Sequence, residues 1–501
     1  METKDLQFSG KILDNVHGFI YYTEVEKKIM DTQLFKRLQS IKQLSVVNWI
    51  FPGSEHTRFI HSLGVMHIAD RIAKQIGLDT NMRQVVRIAG LLHDIGHYPL
   101  SHVCEAPYKK DLTSYSAENY CKEVNLKVKS EIDNFNLKVN QEFMKPSVNG
   151  HHESIGTDII RNNPELRQLI INECGEDAIN LICDMIVGSV TREGVNPILV
   201  QILHSELDAD GIDYLLRDST FSGTSFGGFE LEQLISNFEV GYYYDKPILC
   251  INPKGIPAAD QYMLNKFFSY SQVVFNKHVN NLEWMAEHIV DWMQKQSAYF
   301  PSKTDLLDKW VRCEEGDFSK YLLFTDNFFW SALRSVLDSE LKSCLPKFIV
   351  SFCHKLLNHE ELEYKEDSEV RIVSKDSEEI KCILKQSESY KKINELNDSI
   401  LIFLNRPMSK QVPEEIFLKT LDENIKKNNE DKIPNDIYEE CDSYDQEDEE
   451  YRIDILSKRL MEGICVKDNE SLHLLCDDKR SLMQELYNTN IVVLREFILP
   501  K

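Results

Sequence analysis

Apolar residues recur mostly at helical spacing from residue 31 to about residue 240. Residues 85–92, for example, have the apolar spacing of a buried helix. The pattern is interrupted at Pro52-Gly53, Gly96, Pro99 and Asn149-Gly150. The pattern therefore predicts an all-helical core.

Two shorter stretches depart from helical spacing. Residues 8–30 mix β-branched and aromatic residues around Asn15 and Gly18, and residues 242–252 look similar, so each predicts a short β-hairpin. Residues 261–294 return to the pattern of one long amphipathic helix. The predicted fold class is therefore mainly α, with short β-hairpins.

The pattern changes after about Phe300. Charged helical segments there alternate with strand candidates at 370–372, 400–403 and 491–494. We therefore divide the chain into a helical domain over residues 1–300 and a smaller C-terminal α/β appendage over residues 301–501. Within the appendage, residues 423–450 are rich in Asp, Glu, Asn and Lys, which is typical of a mobile acidic insertion.

The chain is acidic, with 57 Lys and Arg against 81 Asp and Glu and a formal net charge of −24. This balance argues against a nucleic-acid partner and against anionic membrane surfaces. Residues 1–10 show no charged-then-apolar leader, and no apolar run approaches the roughly 18 residues of a membrane span. The 12 cysteines include no C-x-x-C pair, which is typical of reduced thiols. We expect a cytoplasmic protein with no membrane partner.

Candidate chemistry is concentrated just after residues 85–92. Three histidines and a carboxylate lie within ten residues, from His93 through His102, where Gly96 and Pro99 stop the helix. Neighbouring helical residues point about 100° apart, so His93 and Asp94 share one ion most easily if the chain bends there. Imidazole and carboxylate together suit a borderline or hard divalent ion.

Two further segments supply the same residue types. His61 stands at the head of a helical run, and a carboxylate cluster follows at residues 206–218. Each has a purely structural alternative, because His61 could lie on a helix surface and Asp210 could be a helix N-cap. Asp208 and Asp213 compete with Asp210 as the ligand from this cluster.

The order His61, His93-Asp94, Asp210 resembles the H…HD…D signature of the HD metallophosphohydrolases. The chain is more closely similar to their deoxynucleoside triphosphate (dNTP) triphosphohydrolase branch, which includes bacterial dGTPases and the vertebrate antiviral enzyme with SAM and HD domains. The resemblance runs from about Asp14 to about Asn281. Its motifs are Asp14-Asn15-Val16-His17-Gly18, residues 37–44, Phe51-Pro52-Gly53, residues 58–64, residues 93–102, His152-Glu153 and residues 210–218.

The resemblance implies hydrolysis of a dNTP to deoxynucleoside and tripolyphosphate by a domain over residues 1–300. It implies a divalent metal ion held by His61, His93, Asp94 and Asp210. Asp210 is preferred because the family motif places its ligand three residues before an Asp-Tyr pair. The ligand set does not distinguish Mn, Fe, Mg, Zn, Ni and Co.

The resemblance also implies roles for three further histidines. His97, His102 and His152 would bind phosphate and protonate the leaving group, which suits a side chain whose unperturbed pKa is near neutrality. Which of the three is the acid stays open. So does the alternative that they only hydrogen-bond the metal ligands.

Five residues are implied to bind substrate. Arg58 lies about one helical turn before His61 and can reach a phosphate, with an ordinary salt bridge as the alternative. Gln43 and Leu44 would line the sugar side of the pocket, although Leu44 could equally belong to the core. Tyr214 and Asp218 would meet the ribose ring and its 3′-hydroxyl.

The chain departs from the family pattern at two places. Gly211 stands where some relatives carry a phosphate-binding lysine. Phe275-Asn276-Lys277-His278 replaces a more usual Tyr-x-His-Lys. Lys266, Lys277 and His278 are candidates to compensate for these losses.

The implied partners are a nucleotide substrate, a nucleotide activator and further copies of the chain in a homo-oligomer. The α/β appendage would then be regulatory or oligomerising. Two other functions stay open, an HD 5′-nucleotidase or phosphodiesterase and a non-catalytic nucleotide sensor. Retention of both the ligands and the additional histidines argues against the sensor. Some relatives deplete dNTPs in antiviral defence, a role that the sequence leaves open.

Overall fold

A computed structural model describes residues 5–109, 120–138, 151–190, 194–295, 299–312, 318–367, 371–374, 382, 386–421, 446–469 and 471–500. Helices make up most of the regular structure, and the predicted mainly α fold class is confirmed. Among the described residues, no helix combines the length and the apolar composition that crossing a membrane requires.

The described helices are α1 Glu24–Asp31, α2 Gln33–Lys36, α3 Arg58–Gln75, α4 Thr80–Leu92, α5 His102–Lys109, α6 Tyr120–Lys138, α7 His151–Asn162, α8 Pro164–Cys174, α9 Asp177–Val187, α10 Pro197–Leu203, α11 Ala209–Ser222, α12 Leu231–Ser236, α13 Ile256–Ser269, α14 Lys277–Lys295, α15 Ser319–Leu322, α16 Asp326–Asp338, α17 Lys347–Leu357, α18 Glu388–Lys391, α19 Gln446–Glu462 and α20 Met483–Leu486. Short 3-10 turns include Arg37–Ser40 and Pro253–Gly255, and π-helical turns cover Tyr270–Val274 and Asp305–Val311.

The strands in the described part of the chain form three small sheets. They are β1 Gly10–Asp14, β2 Gly18–Tyr22, β3 Phe238–Tyr243, β4 Lys246–Ile251, β5 Glu363–Asp367, β6 Arg371–Ser374, β7 Ser399–Pro407, β8 Cys465–Asp468, β9 Ser471–Leu474 and β10 Thr489–Ile498. β1 and β2 form an antiparallel hairpin, and the second sheet has the order β3-β4-β8-β9, with β8 parallel to β4. In the third sheet, β10 pairs with β7 along its length and with β6 and β5 in succession.

One continuous apolar core joins the helical part to the sheets. It contains residues from Ile20 in the first hairpin to Leu499 after the last strand. Strand β8 also extends the β3–β4 hairpin into a larger sheet. The segment after residue 300 therefore shares one apolar core with the helical part.

The predicted hairpins are present, with β1–β2 inside residues 8–30 and β3–β4 beginning slightly before residue 242. The prediction of one helix over residues 261–294 is wrong, because a π-helical turn separates α13 from α14. The Asn276 side chain accepts a hydrogen bond from the backbone N–H of His278 at 3.0 Å, so it caps a new helix start.

Strand candidates 400–403 and 491–494 lie in β7 and β10, and residues 371–372 lie in β6. Residue 370, the first of the remaining candidate, is outside the described residues. Residues 423–445 of the predicted acidic insertion are outside them as well. Its last residues, 446–450, begin helix α19.

Candidate active site

Helix α4 carries the predicted His-Asp pair to a bend. Asp79 caps the start of α4 by accepting a hydrogen bond from the backbone N–H of Met82 at 3.0 Å. The helix ends at Leu92, so His93 and Asp94 lie in the turn that follows. This is the bend that the sequence predicts for a shared ion.

Helices α3 and α11 approach closely because Gly64 lies at their contact. A Cβ atom at Gly64 would collide with the carboxylate of Asp213. A larger residue would therefore push the two helices apart. The close approach brings His61 on α3 within reach of Asp210 on α11.

The four predicted metal ligands converge in space. The Nε2 atom of His61 lies 2.9 Å from Asp210 Oδ1 and 3.8 Å from Asp94 Oδ2. The Nε2 atom of His93 lies 3.4 Å from Asp94 Oδ1 and 3.8 Å from Asp210 Oδ1. We call His61, His93, Asp94 and Asp210 the metal cluster.

Both histidines of the metal cluster are oriented through their other ring nitrogen. The Nδ1–H of His61 donates to Asp213 Oδ2 at 2.7 Å, and that of His93 donates to the Gly90 carbonyl at 2.8 Å. Each Nε2 atom then presents its lone pair to the cluster, as in metal-binding histidines. Among the described residues, neither buried Nε2 atom has an aligned hydrogen-bond partner.

The two competing carboxylates have other contacts. Asp213 accepts hydrogen bonds from Arg217 Nε at 2.8 Å and from His17 Nε2 at 2.6 Å. Asp208 is the N-cap of α11, since its Oδ1 accepts from the backbone N–H of Gly211 at 2.7 Å. The N-cap role considered for Asp210 thus belongs to Asp208. The Asp210 side chain is 42% exposed, so the cluster opens to solvent there.

The electrostatics of the metal cluster favour positive charge. Burial lowers the pKa of His61, but the carboxylates of Asp210 and Asp213 outweigh it and raise this pKa to about 10. Burial raises the pKa of Asp94, but Arg58, His93 and His61 outweigh it and hold this pKa well below its usual range. The charges around the cluster therefore favour a cation at its centre, whether a proton or a metal ion.

These residues fit a divalent metal ion. Two imidazole nitrogens without an aligned hydrogen bond face two carboxylates, and nitrogen and oxygen ligands of this kind suit a borderline or hard divalent ion such as Mn, Fe, Mg, Zn, Ni or Co. Hydrogen bonds from Nδ1 supply the outer support that such ligands need. The ligand set does not select among these metals.

A second group of histidines borders the metal cluster. The rings of His97 and His152 stack with centroids 4.1 Å apart, and the ring of His102 meets that of His97 edge-on at 5.0 Å. Buried Glu105 accepts hydrogen bonds from Nδ1 of both His102 and His152 at 2.8 Å. We call His97, His102 and His152 the histidine triad. Ring nitrogens of the triad lie within 4.8 Å of one another, so the triad could itself hold an ion.

The three histidines of the triad differ in pKa and in exposure, because their surroundings differ. Burial lowers the pKa of His97 well below its usual value, and the Arg58 charge lowers it further, so this ring is neutral. Burial also lowers the pKa of His152, but its hydrogen bond to Glu105 outweighs this and the net shift is upward. His102 is the open member, with a side chain that is 66% exposed. His152 is therefore best able to hold a proton near neutral pH.

Arg58 lies between the two clusters. Its Nη1 atom is 2.8 Å from Asp94 Oδ2, and its Nε donates to Ser101 Oγ at 3.0 Å. Its Nη2 also donates to the backbone carbonyl of Gln43 at 3.4 Å. Arg58 is buried, so its salt bridge to Asp94 is an internal contact of the site.

Two of the predicted sugar-side residues are joined through His56. The backbone N–H of Gln43 donates to the His56 carbonyl at 3.0 Å, and His56 Nε2 lies 2.8 Å from Asp218 Oδ1. The buried Oε1 atom of Gln43 has no hydrogen-bond partner among the described residues. Leu44 and Tyr214 are partly buried and pack against the apolar core.

Sequence reasoning missed Glu105 and the supporting role of Asp213. Glu105 stands three residues after His102, a spacing that places both side chains on one helix face and could have identified it. Asp213 is instead held by Arg217 and His17, and Arg217 also pairs with Asp14 at 2.8 Å. The Asp14-to-Gly18 motif therefore acts on the site indirectly, through Asp213.

Comparison with known protein families gives a match over residues 58–213 to the model described as HD domain. An uncharacterised protein of Methanocaldococcus jannaschii is 30% identical over 280 residues, which cover 56% of this chain. The match spans about half of that relative, 49% of its length. Bovine deoxynucleoside triphosphate triphosphohydrolase SAMHD1 is 40% identical over 111 residues, 21% of this chain and 19% of the bovine protein.

Solved structures show the same fold over nearly the whole chain. A phosphohydrolase from Bacteroides thetaiotaomicron aligns with a TM-score of 0.58 at 18% sequence identity. The alignment covers 98% of this chain and 100% of the bacterial one.

Proposed function

We propose that this chain is an HD-domain, metal-dependent phosphohydrolase that cleaves dNTPs to deoxynucleoside and tripolyphosphate, and the match of residues 58–213 to the HD-domain model supports this. One observation carries the proposal. The Nε2 atoms of His61 and His93 are buried, lack an aligned partner among the described residues and face Asp94 and Asp210. The short but closer match to the bovine triphosphohydrolase supports this choice of substrate.

The metal cluster would hold the ion through His61, His93, Asp94 and Asp210. When bound, a divalent ion supplies polarisation of a phosphate oxygen and activation of water at neutral pH. Arg58 would place its guanidinium against the same phosphate, because it already contacts Asp94.

The histidine triad would bind phosphate and supply the proton. Glu105 accepts from Nδ1 of His152, so the proton on Nε2 of that ring is available to a leaving group. Water attacks the α-phosphorus and releases one proton to solvent, the bond from phosphorus to the 5′-oxygen breaks, and the His152 proton moves to that oxygen; His152 then regains a proton from solvent. His97 and His102 would hydrogen-bond phosphate oxygens. Atoms balance to a deoxynucleoside and tripolyphosphate.

The sugar would lie on the side of Gln43 and Asp218. The unpartnered Oε1 atom of Gln43 is an acceptor for a sugar hydroxyl, and Asp218 would accept from the 3′-hydroxyl. Leu44 would pack against the deoxy carbon, and Tyr214 against the ring. A ribose 2′-hydroxyl would be buried there without a partner.

Product analysis tests the proposal. The full-length protein is incubated with each of the four dNTPs and a series of divalent metals, and products are separated by ion-exchange chromatography. We expect deoxynucleoside and tripolyphosphate, with oxygen from labelled water only in tripolyphosphate. Orthophosphate or pyrophosphate as product, or turnover of monophosphates alone, would assign the chain to the 5′-nucleotidase or phosphodiesterase alternative. Binding without turnover would assign it to the nucleotide sensors.

We also propose nucleotide regulation, and a cavity beside the site suits it. The cavity has a volume of about 550 Å³ and is lined by Trp49, Trp330, His359, Lys42 and Arg334, among others. Asp326 lines the same cavity and accepts hydrogen bonds from the backbone N–H groups of Lys42 and Leu100. Leu100 precedes Ser101, which contacts Arg58, so an occupant at Asp326 could shift the site.

Regulation and assembly have their own tests. The ratio of hydrolysis rates with and without a second nucleotide should exceed one in the natural protein and approach one in Trp330→Ala. We also propose that the protein is cytoplasmic and forms a homo-oligomer. Sedimentation of the purified protein would detect the oligomer. A monomer with hyperbolic kinetics that mixed nucleotides leave unchanged would contradict both proposals.

A further inference from the structure

Three cations from two distant parts of the chain line one pocket. Lys266 lies on α13, Arg406 on β7, and Lys410 just beyond β7. The Glu206 carboxylate also lines this pocket, but it accepts hydrogen bonds from Ser409 Oγ and from the backbone N–H of Lys410, each at 3.1 Å. Among the residues that the structure describes, none of the three cationic side chains forms an ion pair with a carboxylate.

The pocket adjoins the metal cluster. Burial lowers the pKa of Lys266, and the carboxylates of Glu206, Asp208 and Asp210 lie near enough to oppose this shift. Arg406 lies 4.3 Å from the ring centroid of Tyr270, and its charge also acts on the hydroxyl of Tyr214. Tyr214 is one helical turn after Asp210 on α11. A phosphate at the metal cluster would therefore have these cations as neighbours.

Gly211 leaves this position without a positive charge, and Lys266 supplies one instead. A Cβ atom there would collide with the hydroxyl of Tyr262, which donates to the Glu206 carbonyl at 3.2 Å. Lys266 is one turn after Tyr262, with Nζ 5.6 Å from that ring centroid and 3.5 Å from the Glu206 carbonyl oxygen. Tyr262 thus fills the space that a lysine at position 211 would need, and Lys266 brings a positive charge to the same edge of the cluster.

The other two candidates for compensation lie elsewhere. His278 pairs with Glu361 at 2.8 Å, and Lys277 Nζ lies 5.8 Å from the ring centroid of Tyr364. Neither residue lines the pocket. The positive charge beside the metal cluster therefore comes from Lys266 together with the C-terminal residues Arg406 and Lys410.

Like charges this close repel one another, and an anion relieves the repulsion. The surrounding protein partly desolvates Lys410, which is still exposed, and lowers its pKa, and the charges of Lys266 and Arg406 lower this pKa further. The enclosed space between the three cations is only about 10 Å³, so their side chains must move apart to admit a phosphate. Phosphate oxygens suit the cations themselves, because a guanidinium binds them in pairs and ammonium groups add point charges.

We propose that Lys266, Arg406 and Lys410 bind the terminal phosphates of the substrate, so that the C-terminal sheet completes the active site. This inference rests on the proposed function, since it takes the α-phosphate to lie at the metal cluster. It assigns the preference for triphosphates over monophosphates to residues far apart in the sequence.

Binding of inorganic tripolyphosphate and of orthophosphate, measured by calorimetry on the full-length protein with excess Mg²⁺, tests the inference. We expect Lys266→Gln and Arg406→Gln each to weaken tripolyphosphate binding about tenfold and the double variant about 100-fold. Orthophosphate binding, metal content and melting temperature should stay unchanged. Arg406→Lys should recover part of the loss. Lys254→Gln, an exposed charge change on the turn before α13, is the matched control.

Failure of this inference is distinguishable from failure of the proposed function, because binding needs no turnover. Tripolyphosphate binding that the variants leave unchanged, or no such binding by the natural protein, would overturn the subsite. Stimulation of dNTP hydrolysis by tripolyphosphate, in place of competitive inhibition, would also overturn it, because the pocket would then bind an effector. Variant-sensitive binding in a protein that hydrolyses no dNTP would retain the polyphosphate pocket and reject the proposed reaction.

Discussion

The metal cluster and the histidine triad differ in where their carboxylates lie. In the metal cluster, Asp94 and Asp210 face the same point as the Nε2 atoms of His61 and His93. In the triad, Glu105 lies behind the rings and accepts from Nδ1 of His102 and His152. A carboxylate in front of an imidazole helps to hold a cation, whereas one behind it raises the pKa of the ring and leaves Nε2 free. Histidine thus suits two different tasks, holding a metal ion in one cluster and carrying a proton in the other.

The largest effect is expected from breaking the metal cluster. Asp94→Ala removes a proposed ligand and the charge that Arg58 contacts, so bound metal and hydrolysis should be lost together. Metal analysis of the purified protein and an activity assay check this. Asp245→Ala, in the exposed turn between β3 and β4, is the matched control. Full activity in metal-depleted protein would contradict the prediction.

Breaking the triad should lower the rate and leave the metal in place. His152→Gln removes the proposed proton donor, and we expect hydrolysis to fall by about 10²–10⁴-fold with unchanged metal content. Single-turnover kinetics and metal analysis on the same preparation check both parts. Loss of metal together with activity would show that the triad itself binds an ion.

The position of Glu105 behind the triad can be tested by pH. Glu105 raises the pKa of His152, and the protonated ring is the proposed active form, so the rate should fall as pH rises through that pKa. In Glu105→Gln the support is lost, and this fall should move to lower pH, with a rate loss of about 10–100-fold near neutrality. The measurement is kcat against pH for both proteins. An unchanged profile would remove Glu105 from the proposed role.

The smallest expected effect leaves both clusters intact and changes only sugar choice. If Leu44 packs against the deoxy carbon, burying a 2′-hydroxyl without a partner costs roughly 1–3 kcal/mol. Leu44→Ala should therefore narrow the ratio of kcat/KM for dATP over ATP while metal content stays the same. Equal turnover of ATP and dATP by the natural protein would contradict the pocket assignment.

The pattern of apolar residues, glycine and proline along the chain predicted part of the fold. It failed where a single capping side chain starts a new helix. The hairpins, the mainly helical core and the bend after Leu92 follow from periodicity, glycine and proline. The break between α13 and α14 does not, because one capping side chain, that of Asn276, restarts the helix inside an otherwise continuous apolar pattern. Strands β8 and β9 also escaped prediction, since they are short and pair with the distant β4 or with each other.

By itself, the sequence determined which chemical groups stand at helix ends and bends. His61, His93-Asp94 and Asp210 were predicted to share one site, and they lie together in the structure. The residues themselves left Asp208 and Asp213 as competitors of Asp210, and the tertiary structure separates the three: Asp208 caps α11, Asp210 faces the cluster and Asp213 supports His61. The tertiary structure also decided the contacts of Glu105 and the pocket of Lys266, Arg406 and Lys410. Such groups act through distances of a few ångströms, which packing sets and spacing along the chain does not.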